Sequence, residues 1–368
     1  DFAHVVGYVA PPAEADLTGD PLLELPDFRI GRNGIERVYD LAMRGRGGTS
    51  QLEVNAVGRP IRELDRVDGD PGQDVALTID AGLQRFCMQR LSQEESAAAV
   101  VMEVETGEVL ASSSWPSFDP NEFATGIPAG LWRELLADTR GPLTNKVVSG
   151  QYAPGSTYQM VVALAGLEAG VIAPDHRIHC PGHMDLGDNR FHCWRRGGHG
   201  AVDMVEAIQQ SCDVYFYELS RRVGSDRISA MSRRFGLGQS LGIDVPGERA
   251  GLMPTRAWKE AIHGKPGAQG DPLVAGIGQG FVLATPLQLA VMTARLASGR
   301  AVKPRLVRAI ARREIPVEPA EPLGLSTSNL TAVLHGMDAV MNEAGGTARS
   351  SRIVADGLRM AGKTGTSQ

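Results

Sequence analysis

The fold of this chain is decided by the stretch PGSTYQMVVALAGLE, residues 154–168, in which a serine opens a strongly apolar helix. Pro154 sets the direction in which the chain enters this helix, and Gly155 allows a close backbone approach at its first turn. Gly170 follows as a typical helix stop. Ser156 is therefore expected at a helix N-terminus, where free N–H groups point outward and negative charge is favoured.

A serine in this position suggests nucleophilic chemistry, which needs a base within hydrogen-bond reach. Residues three apart share one helix face, so Ser156 and Gln159 are expected to be neighbours. A lysine at position 159 would make Ser156 an activated nucleophile. Gln159 is instead a neutral amide that cannot accept a proton at neutral pH.

A second motif, Ser211-Cys212-Asp213, offers a hydroxyl that can relay protons and an acceptor that can orient a substrate. A third motif, Lys363-Thr364-Gly365-Thr366, offers a cation and a hydroxyl that can hold a carboxylate. The backbone N–H of Thr366 would complete an oxyanion hole with that of Ser156, and Gly365 belongs to the same substrate-binding segment. The three motifs together predict acyl transfer.

Each motif alone is a weak signal. A Ser-x-Asp sequence is an ordinary helix-cap pattern, and Lys-Thr-Gly is short enough to occur by chance. The three stand in order, however, with an apolar helix after Ser156 and a predicted strand, residues 358–361, before Lys363. Chance is a poor explanation for the combination.

Composition describes an ordinary globular protein of two domains. The chain has 368 residues, of which 42% are hydrophobic and 22% charged. Its net charge of −6 gives no support for a nucleic-acid partner. No apolar run reaches the ~18 residues that a membrane span requires, and no signal peptide opens the sequence. A chain that begins mid-pattern and ends on a motif is expected to be a fragment.

The domain boundary is predicted near residues 75–80. Residues 1–78 are rich in glycine, proline and charge and read as a small strand-rich module, while residues 79–368 carry the motifs. Residues 97–104 and 108–113 predict a hairpin around a Glu-Thr-Gly turn. A serine helix between strands from both chain ends predicts an α/β (α+β) fold with an antiparallel sheet flanked by helices.

Several further stretches complete a recognisable set: LTIDAGLQ at 77–84, GQYAPGST at 150–157, SCDVYFY at 211–217, MPT at 253–255, GIGQG at 276–280 and ATPLQ at 284–288. With the closing Lys-Thr-Gly-Thr, the chain resembles the class B penicillin-binding proteins, specifically the elongation-type penicillin-binding protein 2. The resemblance covers nearly all residues. It implies a penicillin-binding transpeptidase domain after a partial pedestal or dimerisation-type module.

The resemblance implies a peptidoglycan D,D-transpeptidase that attacks the D-Ala-D-Ala end of a stem peptide and is trapped by β-lactam antibiotics. It also implies a place on the periplasmic side of the bacterial inner membrane, with an N-terminal anchor and a C-terminal part of the sheet outside this sequence. A RodA-type glycosyltransferase and elongation scaffold proteins would be its partners. Asp213 stands where the family has Asn or Asp.

Gln159 departs from the family, which has its general base there. Loss of a general base typically costs about 100- to 10,000-fold in rate. Two other functions therefore stay open beside the transpeptidase. One is a non-catalytic scaffold or binding subunit of the same fold. The other is a carboxypeptidase or β-lactamase, against which the strand-rich first module argues.

A possible metal site lies in the middle of the chain, where Cys180, Cys193, His199 and Cys212 are spaced C-x12-C-x5-H-x12-C. Three thiols and an imidazole are a tetrahedral zinc set, and the loops between them contain little apolar periodicity. The resemblance also implies zinc, since some elongation-type relatives hold one at matching positions. Because Cys212 lies inside the second motif, this zinc would fix the height of Ser211 and Asp213.

The cluster has alternatives. A Cys180–Cys193 disulfide would be reasonable outside the cytoplasm, and the three thiols could also be unrelated. Rival metal ligands lie in the same region: His176, His179, His183, His192, Asp185 and Asp188.

Overall fold

The computed structural model describes residues 1–264 and 270–367. Residues 265–269 and Gln368, which fall within the expected second domain, lie outside the described residues. The first part of the chain contains short elements joined by turns. They are α1 (Ala3–Val6), β1 (Val9–Ala10), β2 (Ile30–Gly31), α2 (Gly34–Val38), α3 (Asp40–Arg44), β3 (Thr49–Val54) and β4 (Pro60–Val67), with 3₁₀ turns at Glu14–Asp16 and Pro21–Glu24.

Helices dominate the rest of the described chain, and none of them is long and apolar enough to cross a membrane. They are α4 (Ala81–Leu91), α5 (Asn121–Ala124), α6 (Ala129–Ala137), α7 (Lys146–Ser149), α8 (Gln159–Glu168), α9 (Met204–Gln209), α10 (Asp213–Val223), α11 (Ser225–Arg234), α12 (Arg256–His263), α13 (Asp271–Gly276), α14 (Pro286–Ser298) and α15 (Thr327–Asn342). Two 3₁₀ turns, Gly155–Tyr158 and Arg349–Ser351, accompany them.

The strands form small antiparallel sheets, so the fold is the mixed α/β type that the sequence predicts. The strands after residue 74 are β5 (Val75–Leu77), β6 (Ala97–Met102), β7 (Val109–Trp115), β8 (Ile178–Cys180), β9 (His183–Leu186), β10 (Asn189–His192), β11 (Gly200–Val202), β12 (Val307–Ile310) and β13 (Arg313–Glu314). The pairs are β1–β2, β3–β4, β6–β7, β8–β11 and β9–β10, and a three-stranded sheet has the order β13–β12–β5. The predicted hairpin is therefore present as β6–β7.

The serine helix α8 is the centre of the core. Its residues from Gln159 to Leu167 are all buried, because the helix is apolar around its whole circumference. It packs against α10, α11 and α15. Small residues permit this close packing: a side chain at Gly166 would collide with Leu219 of α10.

A second hydrophobic cluster joins the first module to the rest of the chain. Val5 and Ile35 belong to it together with Val109 of β7, Val147 of α7 and Leu306 beside β12. Strand β5 makes a related link, since it pairs with β12 more than two hundred residues away in sequence. The two parts of the chain therefore share apolar burial as well as a covalent connection.

The strand expected at residues 358–361 is absent, so this prediction is wrong. The backbone there bonds to helix α15 instead of to a neighbouring strand. The side chain of Asn342 donates to the carbonyl of Met360, and the N–H of Gly362 donates to the carbonyl of Met337. Arg359 also pairs with Asp338 of the same helix. The Lys-Thr-Gly segment is thus positioned by a helix.

The contact between α10 and α13 yields a stability prediction. Gly276 lies against Ser220 so closely that an added methyl group would overlap the Ser220 hydroxyl, which is itself bonded to the carbonyl of Phe216. We expect Gly276→Ala to lower the free energy of unfolding by about 1–3 kcal/mol through overpacking. Gly130→Ala in α6 is the control, since apart from its chain neighbours and the backbone of its own helix no atom lies within 4 Å of the added methyl group.

Urea unfolding followed by circular dichroism measures both variants. Alanine is the better helix former, so Gly130→Ala should raise the free energy of unfolding by up to about 1 kcal/mol. Equal effects of the two substitutions would contradict the packing argument.

Candidate active site

Three distant segments meet at the serine turn. Gly155 has a φ of +56°, a conformation that favours glycine, and its N–H donates to the carbonyl of Gly278 at 2.9 Å. A side chain at Gly155 would collide with the backbone carbonyl of Thr366. The side-chain amide of Gln279 donates to that same carbonyl at 2.9 Å. The absence of a side chain at position 155 therefore allows the Lys-Thr-Gly-Thr segment to lie against Ser156.

A line of polar side chains runs from Ser156 to Lys363. The Gln159 amide nitrogen donates to Ser156 Oγ at 3.3 Å, and Ser211 Oγ donates to Gln159 Oε1 at 3.5 Å. Lys363 Nζ donates to Ser211 Oγ at 2.9 Å. Gln159 is fully buried. The structure thus brings together the first members of all three sequence motifs, with Gln159 between the two serines.

Burial shifts the pKa values of two ionisable groups here, Lys363 in this line and Asp213 beside it. It lowers the pKa of the Lys363 ammonium to about 8, although nearby Asp213 acts in the opposite direction. Burial raises the pKa of the Asp213 carboxyl to about 7, although the backbone N–H of Trp194, 2.9 Å from Oδ2, lowers it. Both groups therefore gain or lose a proton within about one pH unit of neutrality.

Ser156 opens into a cleft of about 1140 Å³. Ser211, Asp213, Thr364 and Thr366 line it, as the sequence motifs predict they could. The other residues of its wall come mainly from β10 and the loop after it, and from the end of α13 and the segment after it. They are Arg190, Phe191, His192, Cys193, Trp194, Arg196, Tyr217, Val274, Ile277, Gln279, Gly280 and Thr347.

The remaining residues of the third motif lie at the same place. The Thr364 hydroxyl is 2.8 Å from the hydroxyl of Thr347, which the sequence analysis did not single out. Gly365 packs on Thr157, where a side chain would crowd the threonine methyl group. Sequence reasoning also missed Trp194 as a cleft residue. Its place between Cys193 and His199 was the one available signal.

The four predicted metal ligands converge beside the cleft. One ligand atom from each of Cys180, Cys193, His199 and Cys212 lies within 4.8 Å of all the others. His199 Nδ1 is 3.6 Å from the Cys180 sulfur and 3.5 Å from the Cys193 sulfur. A tetrahedral zinc ion with bonds of about 2.3 Å to sulfur and about 2.0 Å to nitrogen has sulfur–nitrogen edges of about 3.5 Å. These residues therefore fit a zinc ion.

The thiols themselves are free, so no Cys180–Cys193 disulfide is present. A hydrogen bond from Cys212 lowers the pKa of Cys193, and the same contact raises the pKa of Cys212. The rival ligands lie outside this group of four. His176 contacts Arg222, and Asp185 pairs with Arg190.

Comparisons with known proteins place this geometry in a family. The model of the penicillin-binding protein transpeptidase domain matches residues 97–368, and that of the penicillin-binding protein dimerisation domain matches residues 1–77. The chain belongs to the penicillin-binding proteins with a transpeptidase domain.

MrdA and PBP2 proteins are among the individual relatives with which the chain aligns. The chain is 37% identical to the peptidoglycan D,D-transpeptidase MrdA of Escherichia coli K12, over 100% of this chain and 60% of that protein. It is similar to PBP2 of Pseudomonas aeruginosa in complex with WCK 5153, with a TM-score of 0.83, 39% identity and coverage of 95% and 75%. It also resembles PBP2 of Helicobacter pylori in complex with MreC, with a TM-score of 0.90, 31% identity and coverage of 100% and 67%.

The site predicts an unusual titration for Lys363. Its midpoint should lie near pH 8, whereas an unperturbed lysine titrates at about 10.4. Carbon-13 NMR of lysine-labelled protein measures this midpoint, and Lys363→Met identifies the resonance by its disappearance. A midpoint above pH 10 would contradict burial of the ammonium group.

The same shift predicts a pH dependence of stability. From about pH 8 to about 10.5 the unfolded chain keeps a proton on Lys363 that the folded protein has lost. The free energy of unfolding should therefore rise with pH across this window, and should rise less in Lys363→Met.

Proposed function

We propose that this protein is a serine D,D-transpeptidase that crosslinks peptidoglycan stem peptides during cell elongation. The supporting observation is the line of contacts Ser156–Gln159–Ser211–Lys363, of which Ser156 and Ser211 line the cleft. The chain spans about 60% of the length of the curated relatives with which it aligns throughout. Because the relatives are longer than this chain, the activity of the whole relatives is carried over to this protein as a proposal.

The reaction assigns a role to each group. Ser156 Oγ attacks the carbonyl carbon of the penultimate D-alanine, an ester bond forms, the peptide bond breaks, and D-alanine leaves with a proton on its nitrogen. An amine of a neighbouring strand then displaces Ser156 and completes the crosslink. The N–H groups of Ser156 and Thr366 stabilise the oxyanion in both steps. β-Lactams acylate the same serine.

Substrate binding falls to the other two motifs. Lys363 and Thr364 hold the terminal carboxylate of D-Ala-D-Ala, and Gly365 lets this substrate-binding segment pack closely on Thr157. Ser211 relays a proton and Asp213 orients the donor peptide. The cleft suits an anionic ligand, because Arg190 and Arg196 line it and Lys363 contacts Ser211 of its wall. Asp213, which also lines the cleft, has a raised pKa.

A specific observation favours a second candidate function, a non-catalytic binding or scaffold subunit. Gln159 donates an amide N–H to Ser156 Oγ, and an amide cannot take the serine proton at neutral pH. Among the residues that the structure describes, no base hydrogen-bonds to Ser156 Oγ.

Acylation by a fluorescent penicillin separates these two functions. We expect Gln159→Lys to acylate about 100- to 10,000-fold faster than the present sequence, because the substitution supplies a general base. Gln159→Lys with Ser156→Ala is the control and should not label. Gel fluorescence over time gives both rates.

Equal labelling of the parent and of Gln159→Lys would show that Gln159 does not limit the site. Failure of both to label would favour the binding subunit.

The proposed cofactor is a structural zinc ion held by Cys180, Cys193, His199 and Cys212. When bound, zinc would supply a closed four-ligand crosslink and no open position for chemistry. The crosslink would join β8, the loop after β10 and the residue preceding α10. It would thereby hold Cys212, between Ser211 and Asp213, at a defined depth beside the cleft.

Elemental analysis tests the cofactor. We expect about one equivalent of zinc in the purified protein, and its loss in Cys193→Ser together with a lower melting temperature. Cys87→Ser is the matched control, since Cys87 lies outside the cluster. A metal-free protein with a Cys180–Cys193 crosslink in mass spectrometry would refute the zinc proposal.

The proposed setting is the periplasmic side of the bacterial inner membrane. The relative from Helicobacter pylori was solved with MreC, which supports an elongation scaffold protein as a partner of this chain too. A RodA-type glycosyltransferase is the other proposed partner. Residues 1–78 would serve as the pedestal for these contacts, and residues 79–368 as the transpeptidase domain.

A further inference from the structure

Trp194 occupies a place between the thiol cluster and the catalytic groups. It follows β10 and separates Cys193 from the loop that carries His199. Its ring lies edge-on to the His199 ring, with centroids 5.5 Å apart. The side chain is 59% exposed and lines the cleft together with Ser156. A tryptophan this exposed contributes little to the core, so its polar contacts require an explanation.

Those contacts all lead to the second motif. The indole N–H is shared between the carbonyl of Ser211 at 3.0 Å and that of Gln210 at 3.1 Å. The backbone N–H of the same residue donates to Asp213 Oδ2 at 2.9 Å. Trp194 thus contacts three of the four residues from Gln210 to Asp213.

Ser211 has a backbone that needs such support. Its φ is +55°, in the left-handed region that a residue with a side chain enters at a cost of roughly 1–2 kcal/mol. Such conformations persist where surrounding contacts hold them. The turn between α9 and α10 holds one side through the bond from Cys212 N–H to the Ala207 carbonyl. The indole holds the other side through the Ser211 carbonyl.

The orientation of this turn decides where the Ser211 hydroxyl points. Ser211 Oγ accepts from Lys363 at 2.9 Å and donates to Gln159 at 3.5 Å. If the Ser211 peptide rotated, both contacts would be lost together. We propose that Trp194 is a positioning residue for acyl transfer, whose indole N–H holds Ser211 in its left-handed conformation and so keeps the Ser211 hydroxyl between Lys363 and residue 159. This inference rests on the proposed transpeptidase function.

Trp194→Phe provides the test, because it removes the N–H but keeps an aromatic ring against His199 and the cleft. The background is Gln159→Lys, in which acylation is fast enough to measure. Stopped-flow acylation by a chromogenic cephalosporin separates the noncovalent dissociation constant from the acylation rate constant. We expect Trp194→Phe to lower the rate constant about tenfold and to leave the dissociation constant unchanged. Trp132→Phe in α6 is the matched control and should change neither quantity.

A spectroscopic readout is independent of activity. The Trp194 indole N–H resonance in nitrogen-15 NMR, identified by its absence in Trp194→Phe, should exchange slowly with solvent because two carbonyls share it. Zinc content and melting temperature of the variant should match those of the parent. A loss of zinc in Trp194→Phe, or fast exchange of the indole N–H, would overturn the positioning role.

The kinetic outcomes keep the two proposals apart. If Gln159→Lys acylates and the added Trp194→Phe leaves its rate constant unchanged, Trp194 does not position Ser211 and the transpeptidase function stands. A larger dissociation constant with an unchanged rate constant would mean that Trp194 only binds the ligand as part of the cleft wall, and this result would also overturn the inference. If Gln159→Lys itself fails to acylate, the proposed function fails first.

Discussion

The site depends on a close backbone approach at Gly155. This residue has a left-handed conformation, donates to the carbonyl of Gly278, and leaves room for the carbonyl of Thr366. Segments more than two hundred residues apart in sequence therefore meet at the first turn of the serine helix. A side chain at position 155 would push the Lys-Thr-Gly-Thr segment away from Ser156. The cleft, the proposed oxyanion hole and the groups proposed to bind a carboxylate all depend on this contact.

Gln159 is buried at the position where a general base for Ser156 is expected. The amide lies between Ser156 and Ser211 and uses one end for each, so its hydrogen bonds are satisfied. It connects the first two motifs without supplying a base. The geometry proposed for acyl transfer is therefore separable from proton transfer in this protein: the three motifs meet, while residue 159 is an amide that cannot take the serine proton.

The thiol cluster and the turn that carries Ser211 form one structural unit. Cys212 belongs to the cluster, while its neighbours Ser211 and Asp213 line the cleft. Trp194 makes a second connection that does not pass through the thiols. Two independent constraints on one strained turn are consistent with the cost of holding a non-glycine residue at positive φ.

Sequence alone determined the family, the serine helix and the first hairpin. It also singled out some of the residues that line the cleft, among them Ser156 and Asp213, and the four residues of the thiol cluster, but it missed Trp194 and Thr347. These features can be predicted from sequence because they depend on local apolar patterns and on short motifs of reactive or metal-binding residues. It was wrong about residues 358–361, because their backbone groups bond to α15, and no local pattern reveals a long-range partner. Only the tertiary structure decided that Gln159 bridges two serines, that Ser211 is left-handed and that Trp194 supports it. Each of these depends on contacts between segments far apart in the chain, where spacing carries no information about distance.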